Sequence, residues 1–581
     1  MKLWLAASAA LALSACTPTQ TADAPAQGEA AELTVLADRM IALSLRASPL
    51  LGYFADVGVS DHRRWPDISP AALRRDEADG DALLASLGGL DLDRLTPADR
   101  AIVAGMREDL EADQQMRICR RELWAVSHMG GWHLTLSTVA REQPVETAEE
   151  RAWAIERWSA LPAYINQQIA NARTGLNEGY SAPKSVVRRV ITQFDGIIND
   201  TSENGPLYGP ATRSTDLNFN TQYRAVIDGP VRDSLRTYRN FLEQEYLPRA
   251  RSALPITANP NGAACYQAFL RSYTTLQRTP QEVFELGQAT VAANAERVRE
   301  LGAAAFGTRD LAQIADRIPN ARDNRFASEE ELIAFSRQVV DRARVASARL
   351  FNEMPSQPVV VEPFEAFRRN AGGSSYYQSQ PDRTRPATYR IQSVYWRDET
   401  RGGAEITAVH EAFPGHHMQI ALAAAQTSRP ISRILGNSAY GEGWARYSEA
   451  LAEEAGIYQT QYAPMTRRLW PARGMVIDPG LHVMGWTPEQ VIAYVRESGR
   501  FRGEEAAGVV DRIAIMPGQL TAYDSGGLEI VALRREAEQA LGDRFDVRDF
   551  HDRVLEHGPV PLTALRANVE TWIAQERGAA R

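Results

Sequence analysis

His410-Glu-Ala-Phe-Pro-Gly-His-His417 combines histidines, a glutamate and a Pro-Gly pair within eight residues. Three of the nine histidines in the chain fall within it, next to Glu411. Neutral imidazoles bind zinc, and a neighbouring carboxylate can activate water in an open coordination position. A second acidic motif, Ala439-Tyr-Gly-Glu-Gly-Trp-Ala445, follows at a suitable distance. Together the two motifs predict a metal-dependent hydrolase.

The spacing of the histidines departs from the familiar zinc-binding helix, in which two histidines lie four residues apart. The residue four positions after His410 is Pro414, and the next histidines are His416 and His417. In a straight helix His417 would lie about 10 Å along the axis from His410, too far for both to reach one ion. Proline removes a backbone donor, and glycine tolerates altered dihedral angles. We therefore expect a bulge or break at Pro414-Gly415 that returns His416 to the side of His410.

Outward from this stretch, apolar residues recur at the three- and four-residue spacing of amphipathic helices. Strand signals are confined to residues 359–361 and 388–395, shortly before the histidine motif. The sequence thus predicts a mainly α fold with a small β-sheet beside the metal helix, and a surface loop over residues 201–222. The predicted helices span residues 31–47, 98–116, 147–175, 184–199, 226–246, 280–303, 328–352, 404–426, 441–455, 487–498, 527–541 and 562–576.

The N-terminus has the features of an export signal. One lysine precedes a short apolar stretch of small residues that ends at Cys16. Leu13-Ser14-Ala15-Cys16 resembles a bacterial lipobox, which implies that residues 1–16 are a lipoprotein signal peptide and that Cys16 is lipidated. The alternative is an ordinary signal peptide with an incidental cysteine. Residues 17–30 are small and polar and suit a flexible tether.

Composition excludes several other classes of protein. The net charge is −9 and there is no basic run, so nucleic acid is not an expected partner. No later apolar run is long enough to span a membrane. We divide the remainder into an N-terminal helical region, 31–260, and a catalytic region, 261–581, which together form one unit with a cleft. Cys119 and Cys265 could pair in an oxidising compartment or remain two buried thiols.

The two motifs, with Gly441-Glu-Gly-Trp-Ala-Arg-Tyr-Ser-Glu449 as the second, resemble the DUF885 family of bacterial (lipo)proteins. That family is similar to the gluzincin zinc metallopeptidases, in particular the angiotensin-converting-enzyme-like and carboxypeptidase Taq-like folds. Further similarity covers residues 266–286, Asp478-Pro-Gly-Leu-His-Val-Met-Gly-Trp486 and Met516-Pro-Gly-Gln-Leu-Thr-Ala-Tyr523. The resemblance covers most of the chain after the tether. It implies a large helical metallopeptidase-like fold with a deep cleft and a Zn²⁺ cofactor.

The resemblance also implies roles for individual residues. His410 and His416 are the expected zinc ligands, with His417 as the competing choice for the second position. Glu411 is the expected general base. The third ligand is Glu442, whose alternative role is a helix N-terminal glutamate favoured by the helix dipole; its two flanking glycines favour close approach instead. Glu449 either supports the ligands or is a solvated residue on a helix face.

Hydrolysis of an amide also needs a donor for the oxyanion, and three candidates lie downstream. They are His482, Arg512 and Tyr523, and Tyr523 is preferred because related peptidase folds use a C-terminal tyrosine or histidine. The alternative for each is structural: a loop histidine, a capping arginine and a tyrosine at the edge of the core. The family often has Arg-Tyr where this chain has Arg512-Ile513, so an aromatic role there is in doubt. Tyr376 and Tyr377 are candidates for lining the substrate cleft.

The expected function is a lipid-anchored periplasmic zinc peptidase that acts on short peptides. Its expected partners are a peptide or amide substrate and the membrane that holds the lipid anchor. Thr17 is not aspartate, which favours sorting to the outer membrane. The alternatives are a metal-dependent amidase with a non-peptide substrate, and a binding lipoprotein without activity. Residue preference, cleavage mode and oligomeric state are left open by the sequence.

Overall fold

The structure is a computed structural model that describes residues 26–55, 57–58, 61–202, 205–364, 375–377, 385–426, 429–501 and 505–578. The predicted signal peptide and lipidation residue, 1–16 and Cys16, lie outside the described residues. Residues 17–25 of the predicted tether also lie outside the described residues. Within the described part of the chain, no helix is both long and apolar enough to cross a membrane.

Helices dominate the fold, which confirms the mainly α prediction. In chain order they are α1 (Ala26–Ala47), α2 (Gly52–Ala55), α3 (Pro70–Leu87), α4 (Pro97–Met116), α5 (Leu136–Glu142), α6 (Ala148–Glu178), α7 (Lys184–Asn199), α8 (Gly209–Arg213), α9 (Leu217–Val226), α10 (Arg232–Phe241), α11 (Leu247–Arg249), α12 (Gly262–Thr274), α13 (Pro280–Phe306), α14 (Leu311–Asn320), α15 (Glu329–Ser347), α16 (Arg401–Glu411), α17 (His416–Gln426), α18 (Ser438–Glu454), α19 (Ala463–Leu469), α20 (Arg473–His482), α21 (Pro488–Arg496), α22 (Glu505–Ile515), α23 (Gln519–Leu541), α24 (Val547–Leu555) and α25 (Leu562–Gly578).

The predicted small sheet is present. Its strands are β1 (Val359–Pro363), β2 (Ser375–Tyr377) and β3 (Ala387–Ile391), in the order β1-β3-β2. β1 pairs with β3 in parallel and β2 pairs with β3 antiparallel. β3 ends earlier than the predicted strand 388–395, because residues 393–395 form a 3₁₀ turn. Buried side chains of β1 and β3 share one hydrophobic core with α16, so the sheet lies beside the metal helix as expected.

Several predicted boundaries were wrong. The predicted loop 201–222 contains α8 and most of α9, because Asp216 caps α9 by accepting from the backbone N–H groups of Asn218 and Phe219. Helix α1 begins at Ala26, inside the segment predicted as tether. The predicted helix 226–246 is interrupted by π-helical turns at Ile227–Val231 and Leu242–Tyr246.

Two large hydrophobic cores account for most of the buried side chains. The first packs the sheet with α15, α16, α18, α23, α24 and α25, and the second packs α5, α6, α7, α9 and α10. Cys119 and Cys265 form a disulfide with an S–S distance of 2.10 Å, which joins the segment after α4 to α12. Arg271 on α12 adds an ion pair to Glu108 on α4 at 2.9 Å. These links cross the predicted boundary near residue 260; the division into regions 31–260 and 261–581 stays a prediction.

Candidate metal centre

The helix break in the histidine motif occurs where it was expected. α16 ends at Glu411 and α17 begins at His416, and Pro414 and Gly415 lie in the gap. Gly415 donates its N–H to the carbonyl of Val409 at 3.1 Å. A Cβ atom at position 415 would lie 2.0 Å from the carbonyl oxygen of His410, so only glycine fits here. The predicted continuous helix 404–426 is therefore two helices.

Helix α18 fixes the turn from the outside. Trp444 donates its indole N–H to the carbonyl oxygen of Pro414 at 2.8 Å, and the Ser448 hydroxyl donates to the same oxygen at 3.1 Å. Both side chains are fully buried. Two hydrogen bonds to one buried carbonyl hold the turn in a single position relative to α18. The turn and the glutamate motif of α18 are thus parts of one rigid unit.

His410, His416 and Glu442 come together at this unit. The Nε2 atoms of His410 and His416 lie 3.3 and 3.5 Å from Oε2 of Glu442. The two imidazole rings are perpendicular, with their centroids 4.8 Å apart. One ligand atom from each of the three residues lies within 4.8 Å of the other two. The predicted ligands therefore form a His-His-Glu cluster.

The donor set fits zinc. Two imidazole nitrogens and one carboxylate oxygen are zinc ligands, and three protein ligands leave a fourth position open in a catalytic site. Oε2 of Glu442 is buried yet has no hydrogen-bond partner within the described residues, as expected of an oxygen directed at a cation. Solvent still reaches the cluster, since the side chains of His410, His416 and Glu442 are 15%, 16% and 22% exposed.

Glu449 orients the first histidine. Its carboxylate accepts a hydrogen bond from Nδ1 of His410 at 2.9 Å, and its side chain is only 2% exposed. A proton on Nδ1 leaves the lone pair of Nε2 facing the cluster. Arg446 donates to both oxygens of Glu449, at 2.9 and 3.1 Å. The alternative of a solvated glutamate on a helix face was wrong.

The charges of the cluster favour a cation. Burial alone would lower the pKa of His410, but contact with the carboxylate of Glu442 and the hydrogen bond to Glu449 outweigh it and raise the pKa to about 10. Burial would raise the pKa of Glu442, and contact with His410 and His416 lowers it instead. Against burial, Arg446 and then His410 lower the pKa of Glu449 to about 2. Both carboxylates are thus ionised and stabilise a proton on His410. A cation bound in place of that proton would meet the same two negative charges.

His417, the competing ligand, points away from the cluster. Its side chain is fully buried, and Nε2 lies 3.0 Å from the backbone carbonyl of Gln357. The ring packs edge-on against Phe413, and burial lowers the pKa of His417 to about 4. The structure therefore places His416 and not His417 beside His410.

The two glycines that flank Glu442 have different roles. A Cβ atom at Gly443 would lie 2.5 Å from the backbone of Gly526 on α23, and one at Gly526 would lie 1.8 Å from the carbonyl oxygen of Ala439. Gly443 thus allows α18 and α23 to pack at backbone contact. A Cβ atom at Gly441 would meet nothing within 4 Å, so the expectation of close approach there was wrong.

Tyr523, on α23, is close enough to Glu442 of the cluster to interact with it electrostatically. Its ring is 5.6 Å from the guanidinium carbon of Arg446, and its hydroxyl is 3.4 Å from Nη2 of Arg512. Burial raises the pKa of Tyr523, and the negative charge of Glu442 raises it further. The phenol therefore stays protonated and can donate a hydrogen bond. Arg512 also donates to Oε1 of Gln519 at 2.5 Å.

His482 has no free ring nitrogen for an oxyanion. Nδ1 accepts from the backbone N–H of Ile256 and Nε2 donates to the carbonyl of Ile513, both at 2.9 Å. The ring is buried, and burial lowers the pKa of His482 to about 3. These contacts join the loop before α12 to the end of α22. The prediction of His482 as an oxyanion donor is therefore replaced by its structural alternative.

The remaining predicted residues are placed as follows. Glu411 is the last residue of α16, is buried, and interacts electrostatically with His410, so it lies beside the cluster. Its role as the base stays a prediction. The backbone of Tyr376 and Tyr377 forms β2, and the positions of their side chains lie outside the described structure. Their role in substrate binding stays a prediction.

Arg446 is the residue of the site that the sequence reasoning missed. It pairs with Glu449, packs on Tyr523 and lies 3.6 Å from the buried carboxylate of Asp524. The sequence did contain one indication of this ion pair: Arg446 and Glu449 are three residues apart and so lie on one face of a helix. Nothing in the sequence indicated that both would be turned inward.

Comparison with known proteins gives the fold and a family. A "putative lipoprotein" from Colwellia psychrerythraea is 24% identical, with a TM-score of 0.82 over 94% of this chain and 99% of its own. A "putative lipoprotein of unknown function" from Shewanella oneidensis is 18% identical, with a TM-score of 0.76 over 93% of this chain and 99% of its own. No curated protein matches the sequence. Residues 51–569 match DUF885, described as bacterial protein of unknown function, and the chain therefore belongs to the DUF885 family.

Proposed function

We propose that this chain is a zinc-dependent peptidase that hydrolyses amide bonds of short peptides. The observation that carries the proposal is the convergence of two imidazole nitrogens and one carboxylate oxygen, from His410, His416 and Glu442, at a point that solvent reaches. A buried carboxylate orients the first imidazole, as in many zinc sites. The order of these residues, with His-Glu on one helix and the third ligand on a later one, supports a gluzincin-like arrangement. The deep cleft expected for that class is part of the proposal.

The residues around the cluster supply the steps of a hydrolysis. A bound zinc ion would polarise the scissile carbonyl and make a water molecule more acidic. Glu411, adjacent in sequence to the ligand His410, accepts the proton of the attacking water at its carboxylate and returns it to the leaving nitrogen. Tyr523 donates its hydroxyl to the oxygen of the substrate as negative charge develops there. Arg446 contacts both the carboxylate of Glu449 and the ring of Tyr523, and so fixes their positions relative to each other.

We also propose that the protein is a lipoprotein of the bacterial cell envelope, anchored through Cys16. The sequence Leu13-Ser14-Ala15-Cys16 supports this location, as do the two similar structures described as lipoproteins. Residues 17–25 would connect the lipid to α1. Labelling cells with a radioactive fatty acid tests the anchor: the full-length protein should carry the label, and a Cys16→Ser variant should not.

A peptide-library digest tests the activity. Zinc-loaded protein, without its first 16 residues, should cleave peptides in the library, and the Glu411→Gln variant should not. Intact peptides after incubation with zinc-loaded protein would contradict the peptidase. Cleavage of simple anilides by the same preparation would then favour the amidase on a non-peptide substrate. Inertness toward both would favour the binding lipoprotein.

A further inference from the structure

Helix α23 begins at a residue that cannot cap it. The N-cap position is Gly518, which has a positive φ of 82° and no side chain to accept the free N–H groups of the first turn. A Cβ atom at this position would lie 3.2 Å from the backbone nitrogen of Leu270. Both the backbone conformation and the nearby backbone therefore disfavour a residue with a capping side chain, and the acceptor must come from elsewhere in the fold.

The acceptor comes from α20. Asp478 is fully buried, and its Oδ1 atom accepts the N–H of Gly518 at 2.8 Å. Hydrogen bonds from the backbone of Gly518 and Leu520 both favour the ionised form of this carboxylate. Negative charge is also favoured at the N-terminus of a helix, where the helix dipole is positive. Asp478 thus caps α23 from a position 40 residues before Gly518 in the chain.

Contacts from three other sides orient the carboxylate of Asp478. The hydroxyl of Tyr266 on α12 donates to Oδ1 at 2.8 Å. Nε2 of His482, one turn further along α20, lies 3.9 Å from the same oxygen. Arg512 on α22 interacts with Asp478 electrostatically. The carboxylate is therefore held by α12, α20 and α22, and it connects these helices to the first residue of α23.

The start of α23 carries the oxyanion donor proposed above. Tyr523 is the fifth residue of the helix, just over one turn from its N-terminus. Nη2 of Arg512 donates to Oε1 of Gln519, the first residue, at 2.5 Å and lies 3.4 Å from the hydroxyl of Tyr523. Because a helix is rigid over one turn, a shift of its first residue would also move the phenol.

We infer that Asp478 is a positioning residue, which caps α23 and so fixes the hydroxyl of Tyr523 relative to the ligand cluster. The inference rests on the proposed function, in which Tyr523 donates to the oxygen of the substrate. Misplacement of such a group by about 1 Å can lower a rate by about 10²-fold. Asp478 acts through α23 and not by contact with the reacting atoms.

A double-mutant cycle on the zinc-loaded protein tests the inference. Asp478→Leu keeps the branched shape of the side chain but removes the acceptor, and it should lower kcat at least about tenfold with little change in KM. In a Tyr523→Phe background the same substitution should lower kcat by less than about twofold, because residues that act through one another do not have additive effects. Asp478→Asn keeps an accepting oxygen and should retain most of kcat. If Asp478→Leu does not fold, Asp478→Ala, which leaves room for a water molecule, replaces it in the cycle.

Tyr266→Phe is the matched control. It removes the other hydrogen bond to the same oxygen of Asp478 and leaves the one from Gly518 in place. Its thermal midpoint should fall, because a buried hydrogen bond is lost, while kcat should stay within about twofold of the unsubstituted protein. A loss of kcat as large as that of Asp478→Leu would mean that any disturbance of this buried site lowers activity, and it would overturn the role of the cap.

Amide hydrogen exchange measures the cap without turnover. Asp478→Leu should exchange faster at residues 517–525, whereas residues 530–541, later in the same helix, should exchange as in the unsubstituted protein. Unchanged exchange at residues 517–525 would overturn the inference. So would additive losses of kcat in the cycle; if the protein cleaves peptides and the losses are additive, the peptidase stands and the inference fails. If no peptide is cleaved and exchange rises only at residues 517–525, the peptidase fails and the cap stands.

Discussion

At the scale of single residues, the glutamates of the site differ in what surrounds them. Glu442 and Glu449 each touch an imidazole, and both are held in the ionised form. Glu411 follows His410 in sequence but is not part of the ligand cluster. We therefore propose that Glu442 binds the metal and that Glu411 transfers the proton, while Glu449 orients His410.

Replacement of Glu411 by glutamine distinguishes proton transfer from metal binding. Gln is nearly isosteric with Glu but cannot accept the proton of the attacking water. We expect kcat to fall by at least about 10²-fold, the lower range for loss of a general base. The zinc content should not change. Loss of the metal together with activity would make Glu411 a ligand or a structural residue.

The hydroxyl of Tyr523 is expected to act mainly in the transition state. Tyr523→Phe should lower kcat by about 10²–10³-fold with little change in KM, as is typical for removal of one oxyanion donor. The ring and its contact with Arg446 remain in this variant, so the thermal midpoint should stay nearly constant. An unchanged kcat with a lower midpoint would mean that Tyr523 has a structural role, and the donor role would pass to Arg512.

Asp478 links stability to pH. Its buried carboxylate accepts from the hydroxyl of Tyr266 and from the N–H of Gly518, both at 2.8 Å, just before α23 begins. Burial raises the pKa of Asp478 to about 7 in the folded protein. Between the unfolded pKa, about 4, and pH 7 the folded state keeps a proton that the unfolded state loses, so stability falls as pH rises, by up to about 1.4 kcal/mol per pH unit. Asp478→Asn keeps the accepting oxygen but cannot ionise.

The free energy of unfolding in urea, measured at pH 5 and pH 7 for both proteins, checks this account. The unsubstituted protein should lose more stability between the two pH values than Asp478→Asn does. Identical losses would show that Asp478 has the same pKa in the folded and unfolded chains.

At the scale of helices and strands, the site depends on a break and on a close contact. The break between α16 and α17 brings His416 beside His410, and the contact of α18 with α23 brings Glu442 toward both. Glycine is required in each place because a backbone atom occupies the space of a Cβ. Gly443 and Gly441 lie on either side of Glu442 and therefore form a matched pair.

Gly443→Ala should force α18 away from α23. We expect a loss of about 1–3 kcal/mol of stability, as for other overpacked cores, and weaker zinc binding. Gly441→Ala meets open space in the same helix and should be neutral or stabilising by about 0.5–1 kcal/mol. Urea unfolding and zinc titration of the two variants measure both effects. Equal effects of the two substitutions would contradict the proposed role of the contact.

Local rules account for the elements that the sequence predicted. The break at Pro414-Gly415 follows from the chemistry of those two residues, and the starts of α6, α13 and α21 follow from capping boxes at Thr147, Thr279 and Thr487. The ligand set required the spacing of the histidines together with a family resemblance. The choice between His416 and His417 depended on the direction in which α17 leaves the turn, which is set by contacts from α18 and so is not local.

At the scale of the whole molecule, distant segments complete the site. His417 is held by Gln357 before β1, and His482 bonds to backbone groups near residues 256 and 513. The disulfide Cys119–Cys265 and the ion pair of Arg271 connect helices that are more than 140 residues apart in sequence. Such contacts decide whether a polar side chain is structural or functional. The sequence therefore predicted His482 as an oxyanion donor, whereas in the fold its ring joins two backbone segments.

The zinc content of the purified protein shows whether His410, His416 and Glu442 hold a metal ion. Elemental analysis after exhaustive dialysis should give one zinc per chain, and His410→Ala, His416→Ala and Glu442→Gln should each lose most of it. His557→Ala, a histidine outside the cluster, serves as the control and should keep the metal. A chain without zinc, or a His416→Ala variant that binds zinc as well as the control does, would contradict the proposed metal site.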